Sequence, residues 1–333
     1  MATRTPARRA TQLPTPTTLP KAVVELLQHS KRPNTVSAYR SDLTAFGAWC
    51  AGRGVSPLPA SPETVAEYLA DRAGDLAPRT LQRHLASIGQ AHKFAGQPTP
   101  TNSELVRTCL QGIRRKSALG KATPRKGRKG KAPALWANQV RQISTDLPNT
   151  GAGLRDKALL LLGFAGALRR SDLANLQWSQ VEWKPEGVLL NLQASKTDTN
   201  YEGQTVAINS EPNAYCPIMA LTAWRAWCIT HGGLVAQDLQ AGAVFRSLSK
   251  HQQLGETLSA HAVGQIIKAR ATEAGVAGVT AHSLRRGHIS EAHLKGRAEA
   301  DIMHTSRHRS VAVFRGYIQQ ADPFGRATGK GLL

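Results

Sequence analysis

Residues 114–133, RRKSALGKATPRKGRKGKAP, constrain this chain more than any other stretch: nine basic residues, no acidic one, and several glycines and prolines. Such a run repels itself, gives a core nothing apolar, and is not expected to form a helix, so it predicts a break between two separately packed parts. The 333 residues suffice for two cores, with 41% hydrophobic residues to fill them. A solvated linker is the plain reading. A linker that also tracks a polyanion is the fuller one, because every phosphate neutralised releases counterions.

The charge bias extends over the whole chain. Lys and Arg outnumber Asp and Glu by 43 to 22, for a formal charge of +21, and the isoelectric point is about 10.5. That imbalance suits nucleic acid better than a neutral substrate. No apolar run reaches the roughly 18 residues of a spanning helix, so no membrane partner is expected. The longest, ALLLLGFAGAL at 158–168, reads as a buried helix. The opening MATRTPARRATQLPTPTTLP lacks the apolar stretch of a secretory signal and reads as a flexible basic arm over residues 1–20. Cys50, Cys109, Cys216 and Cys228 include no C-x-x-C pair, which argues against a zinc ribbon or disulfide framework and for reduced core thiols in a cytoplasmic protein. The phosphate-cradling G-x-x-x-x-G-K pattern is absent, so neither a nucleotide nor any other cofactor is expected.

Residues 21–116 read as a small helical bundle: KAVVELLQHS, NTVSAYRSDLTAFGAWCAGRG, SPETVAEYLADRAG, APRTLQRHLASIGQAHKFAG and TNSELVRTCLQGIRRK, each opened by Ser, Thr, Asn or Pro chemistry. In the second of these, Val36, Tyr39, Leu43 and Phe46 form the expected apolar stripe. After a linker at 117–133, a second domain spans 134–318, beginning with ALWANQVRQISTDL and a buried helix that ends in Arg169 and Arg170. GVLLNLQASKTDTNYEGQTVAINS alternates around a polar turn as strand, turn and strand. Helices follow at CPIMALTAWRAWCITHG, at SAHAVGQIIKARATEAG and from 282 onward, which gives a mainly α fold with one small antiparallel β-sheet.

Four fragments of the second domain carry chemistry. In GALRRSDLANL, Arg169 and Arg170 either cap the negative end of a helix or present Arg169 inward as a fork for phosphate, with Asp172 holding the cluster. In QASKTDTN, Lys196 is an exposed hairpin lysine or an ammonium reaching into a cleft. In TAHSLRRGHIS, His282 and Arg285 share a helical face, either as a surface pair or converging on one small anion. In HTSRHRSVAVFRGYIQQADPF, His308 stands nine residues before Tyr317, itself either a half-buried core tyrosine or a nucleophile. His288, His293, His304 and His308 do not make an H-E-x-x-H pattern, so no metal is expected.

Taken in order, Arg169, Lys196, His282-x-x-Arg285, His308 and Tyr317 resemble the signature of the tyrosine recombinases, or phage integrase family. AFGAWCAGRG, RTLQRHLASIGQAH and LQGIRR are similar in particular to the Cre-type site-specific recombinases of that family. The resemblance covers both domains and departs at four points: Ala167 stands in the first box where small or polar residues vary, Asp172 replaces a frequent Glu, Ser306-Arg307 replaces the usual Leu-Gly before the last histidine, and RRGH continues the H-x-x-R box unusually.

What the resemblance implies is a two-domain, C-shaped clamp around DNA, with a helical core-binding domain at 21–116 and a catalytic domain at 134–318. It implies cleavage and rejoining through a 3′-phosphotyrosyl link on Tyr317. Arg169, Arg285 and His308 would act on the scissile phosphate, His282 as base or proton relay and Lys196 as general acid. It further implies a homotetramer passing through a Holliday junction on double-stranded DNA with inverted-repeat sites, and a tail at 319–333 that either docks on a neighbouring protomer or frays. From helical spacing, Arg79 and Arg83 in the first domain and His261, Gln265 and Lys268 in the second are the expected DNA readers. Two other outcomes stay open: a catalytically silent DNA-binding architectural protein, and a hairpin resolvase or topoisomerase of the same chemistry.

Overall fold

The computed structural model describes residues 33–120, 132–192, 203–235 and 237–321. The chain divides into two compact units, residues 1–129 and 130–333.

In the first unit, α1 (Pro33–Arg53), α2 (Pro62–Arg72), α3 (Pro78–Phe94) and α4 (Glu104–Ala118) form a bundle, with a 3-10 turn at Pro100–Asn102 before α4. The Ser61 and Ser103 side chains accept the amides of Thr64 and Val106 and so start α2 and α4, each cap contributing about 1 kcal/mol. The core gathers Phe46, Trp49, Tyr68, Leu69, Leu81 and Ile88. The ring of Tyr68 meets Phe46 edge-on at 5.0 Å and Trp49 at 5.3 Å. The expected stripe on α1 is displaced, since Val36 is 39% exposed while Asp42 is buried.

Asp42 tolerates burial because its carboxylate is saturated. It accepts from Arg83 Nε at 2.9 Å, from Arg83 Nη2 at 2.7 Å and from Ser87 Oγ at 3.1 Å, with His84 Nε2 at 3.0 Å. Burial pushes the His84 pKa down. The ring is therefore neutral, donating from Nε2 to Asp42 and accepting the Tyr68 hydroxyl at Nδ1 over 2.8 Å.

The basic stretch begins later than its composition predicts. Arg114–Ala118 complete α4, where cations in the last turn suit the helix's negative end, and Gly120, at φ 67°, follows the final turn. KAVVELLQHS and residues 121–131 lie outside the described residues.

The second unit opens with α5 (Ala137–Thr145), α6 (Gly151–Ala165) and the short α7 (Arg170–Asn175). Leu159, Leu160, Leu161 and Leu162 on α6 are all buried, each contributing about 1.5–3 kcal/mol. This helix packs against α8 (Pro217–Thr230). It stops at Ala165, three residues short of the apolar run's end. Ala167 N donates to Phe164 O and Leu168 N to Gly163 O, with Ala167 at φ 46°, a left-handed Schellman closure. Arg169 and Arg170 therefore do not cap α6, as one sequence reading allowed; Arg169 is the residue from which α7 starts.

Three antiparallel strands follow, β1 (Val181–Lys184), β2 (Gly187–Leu192) and β3 (Gln204–Asn209), in the order β1-β2-β3. Val181 pairs with Leu190, and Leu190 with Val206, all facing the core. β1 went unread in the sequence because three of its four residues are exposed. The remaining helices are α9 (Asp238–Ala241), α10 (Ala260–Glu273), α11 (Ala281–Leu294), α12 (Glu299–Ser306) and α13 (Val311–Ala321). A small satellite core of Ile289, Ile302, Phe314 and Ile318 ties α11, α12 and α13 together and carries Tyr317 at its edge. The fold is thus mainly helical with one small sheet. No helix among the described residues is long and apolar enough to cross a membrane.

Candidate active site

Two helix ends and two helix faces build the site. The closure after α6 delivers Arg169, and a second closure of the same kind delivers His308. After α12, Arg307 N donates to His304 O and His308 N to Met303 O, with Arg307 at φ 54°, ψ 49°. A side chain in that region costs roughly 1–2 kcal/mol, which is why glycine is the common occupant. His282 lies on the first turn of α11 and Arg285 at the start of the second, and Tyr317 lies on α13.

Arg285 is the anchor. Buried to 1% exposure, it donates from Nη1 to the Ala167 carbonyl at 2.7 Å, and its Nη2 lies 3.4 Å from both ring nitrogens of His308. Burial, then Arg169 and Arg307, push its pKa down to about 9, which leaves it charged at neutral pH. Arg169 is half-buried, its Nη2 3.4 Å from the Arg307 carbonyl, and its Nη1 has no hydrogen-bond partner among the described residues. Asp172 accepts the Arg169 amide at 2.7 Å and is also paired with Arg307 Nη2. Guanidiniums held this way, two of them with a buried donor unpaired among the described residues (Arg169 Nη1 and Arg307 Nε), form a standing demand for an anion.

Tyr317 meets this cluster through His282, whose Nε2 lies 2.8 Å from the phenolic oxygen. The rings of Tyr317 and His308 are 5.1 Å apart, and the phenol bears electrostatically on both Arg169 and Arg285. Burial and the surrounding guanidiniums push the His282 pKa down and that of His308 to about 3. Both rings are neutral at pH 7. His308 Nδ1 also lies 2.8 Å from Ser306 Oγ.

Five residues singled out from sequence, Arg169, His282, Arg285, His308 and Tyr317, thus converge with Asp172. Lys196 belongs to residues 193–202, outside the described residues; its flanking strands end at Leu192 and begin at Gln204. Arg79 and Arg83 are exposed on α3, although Arg83 already holds Asp42. His261, Gln265 and Lys268 are exposed on α10, with Gln265 Nε2 3.4 Å from His261 Nε2. Sequence reasoning missed Arg307, which is 3% exposed and part of the cluster. The available signal was a basic residue beside His308 where glycine is usual. The cysteines are free thiols, with Cys50, Cys216 and Cys228 buried. Among the described residues no group of three or more His, Cys, Asp and Glu side chains is placed to hold a metal.

Fold and site together define a mainly helical protein in which three guanidiniums and two neutral imidazoles gather beside a tyrosine. The sequence pattern of the phage integrase family matches residues 133–323, and that of the phage integrase N-terminal SAM-like domain matches residues 24–97. The chain belongs to the phage integrase family. It is 34% identical over 310 residues to an integrase/recombinase xerD homolog of Selenomonas ruminantium, covering 90% of this chain and 85% of that protein. It is 25% identical over 170 residues to the recombinase cre of Escherichia phage P1, covering 50% and 48%. Among solved structures, the Tn1549 transposon integrase in complex with transposon right end DNA matches with a TM-score of 0.57 at 13% identity, covering 92% of this chain and 98% of that one. The XerH site-specific recombinase bound to its palindromic difH substrate matches at 0.54 and 13% identity, covering 82% and 72%.

Proposed function

We propose that this phage integrase family member, a site-specific DNA recombinase, cleaves and rejoins DNA strands through a covalent bond to Tyr317. The observation that carries the proposal is the Tyr317 hydroxyl 2.8 Å from a neutral His282, beside the Arg169, Arg285 and His308 cluster. In this reading the Tyr317 oxygen attacks the scissile phosphorus and its proton passes to His282 Nε2. The bond to the 5′ oxygen breaks, and Lys196 protonates that oxygen as it leaves. The Arg169 and Arg285 guanidiniums take the charge that builds on the non-bridging oxygens. If the Ser306 hydroxyl donates to His308 Nδ1, the ring proton sits on Nε2 and donates to the same phosphate.

The phosphotyrosine retains the energy of the diester, so a 5′ hydroxyl from a partner strand reverses the step without ATP. Exchanging two strands of two duplexes in this way takes four protomers on paired inverted-repeat sites and passes through a Holliday junction. Bacterial and phage relatives support a cytoplasmic setting. Arg79, Arg83, His261, Gln265 and Lys268 are offered as contacts to bases or phosphates, on the ground that they are exposed on helices of a strongly basic chain.

A suicide substrate nicked near the cleavage point tests the reading. The protein should shift to a covalent DNA complex in a denaturing gel and Tyr317→Phe should not. Tight binding with no covalent product from either would make the chain an architectural DNA binder.

A further inference from the structure

Arg307 stands where a glycine would be less strained, and its side chain turns into the site rather than out to solvent. Its Nη2 holds the Asp172 carboxylate, while its Nε is buried without a hydrogen-bond partner among the described residues. The carboxylate nearest Arg169 is therefore committed elsewhere. Asp172 still accepts the Arg169 backbone amide at 2.7 Å, yet among the described residues the Arg169 guanidinium reaches only the Arg307 carbonyl, at 3.4 Å, and its buried Nη1 is unpaired.

A buried guanidinium next to a carboxylate ordinarily closes a forked ion pair with it. We infer that Arg307 is a positioning residue of the strand-cleavage site: by engaging Asp172 it keeps the Arg169 guanidinium free for the scissile phosphate. The charges fit this role. Arg169, Arg285 and Arg307 against Asp172 leave an excess of positive charge, and a phosphodiester attacked by a phenolate gains a negative charge on its way to the transition state. Without Arg307 the site would lose one of these charges, and Asp172 would turn to Arg169. The inference rests on the strand-cleavage reading above.

The test is single-turnover cleavage of a nicked suicide substrate by the full-length chain at saturating DNA. The wild-type protein must first yield the covalent complex; if it does not, the cleavage reading fails and this inference with it. Given that product, Arg307→Gly suits the left-handed backbone and keeps the carbonyl that Arg169 touches. It should cleave at least tenfold more slowly with unchanged DNA affinity. Adding Asp172→Asn to Arg307→Gly removes the competing carboxylate and should recover most of the lost rate, an outcome that a merely structural role for Arg307 would not give. Should the glycine variant not fold, Arg307→Lys and Arg307→Gln take its place, the lysine expected at least tenfold faster than the glutamine. A wild-type rate in Arg307→Gly, a double variant slower than the single one, or equal rates for lysine and glutamine would overturn the inference.

Discussion

The Tyr317 hydroxyl and His282 Nε2 are 2.8 Å apart although 35 residues separate them in sequence. The distance has a structural cause. Tyr317 is carried by α13, which the satellite core of Ile289, Ile302, Phe314 and Ile318 fixes against α11, and His282 is on the first turn of α11. A small apolar cluster thus sets a polar contact, and within one chain the phenol meets His282 at 2.8 Å and lies beside the ring of His308.

The His282 pKa lies below its ordinary value, driven by burial and then by Arg285, Arg286 and Arg169. A lowered value keeps the ring unprotonated at neutral pH, where it can accept the Tyr317 proton. Cleavage by the wild-type protein should therefore hold its rate as pH falls to about 6.5, the ordinary imidazole value, and decline only below it. His282→Gln should cut single-turnover cleavage about 100-fold and remove that acid limb. A rate that falls already between pH 8 and 7 would remove His282 from the role of base.

Arg285→Lys probes the proposed phosphate clamp. Lysine cannot hold the Ala167 carbonyl and also face His308, because it lacks the guanidinium's fork. We expect cleavage to fall about 10²–10³-fold, the loss typical of removing one aligned oxyanion donor. DNA affinity by gel shift should change little, because many phosphate contacts share that energy.

Much of this site was legible because each catalytic candidate lies in a short motif of fixed residue type, so Arg169, His282, Arg285, His308 and Tyr317 could be named without a fold. The helices of the first unit were equally legible from Ser61, Pro78 and Ser103 at their starts. Chain reversals were harder to see. Ala167 and Arg307 close their helices in the left-handed region without the glycine that advertises such turns, so α6 looked too long and the packing of Arg307 could not be read. The burial of Asp42 had no local signal, since it depends on Arg83, Ser87 and His84 from a helix 41 residues away.

Burial lowers the pKa of His288 to about 4 and that of His308 to about 3, while both titrate near ~6.5 in the unfolded chain. Between those values the unfolded state binds protons that the native state does not. Stability is therefore full above about pH 6.5 and falls as pH drops toward 4. The melting temperature of the DNA-free protein should decrease from about pH 7.5 to 5.5, and His288→Gln should flatten that decrease. An unchanged slope in the variant would place the titrating group elsewhere.

A glycine in the middle of α11 is there for contact. A Cβ on Gly287 would overlap the Leu135 carbonyl oxygen, on the extended segment whose Leu135 amide donates to Ser283 O at 3.0 Å. Gly287→Ala should force that segment off the helix and destabilise the second unit by about 1–3 kcal/mol, the usual cost of overpacking, despite alanine's better helix propensity. A urea titration of the full-length chain reads this as an earlier transition for the second unit.

Asp42→Asn tests whether the buried network holds the first unit together or only decorates it. The amide keeps the shape of the carboxylate but loses the charge that receives both Arg83 donors, and its NH2 faces Arg83 or His84 Nε2, both of which also donate. A buried polar atom left unmatched in this way costs about 1–3 kcal/mol; because the Arg83 side chain is 47% exposed, water can repair its part, which puts the expected loss near the lower end of that range. The first unit should then melt earlier while the second is unaffected. Losing the Arg83 anchor should also weaken DNA binding if this side chain reads the duplex, so a variant that melts earlier yet binds with wild-type affinity would leave Arg83 a structural arginine alone.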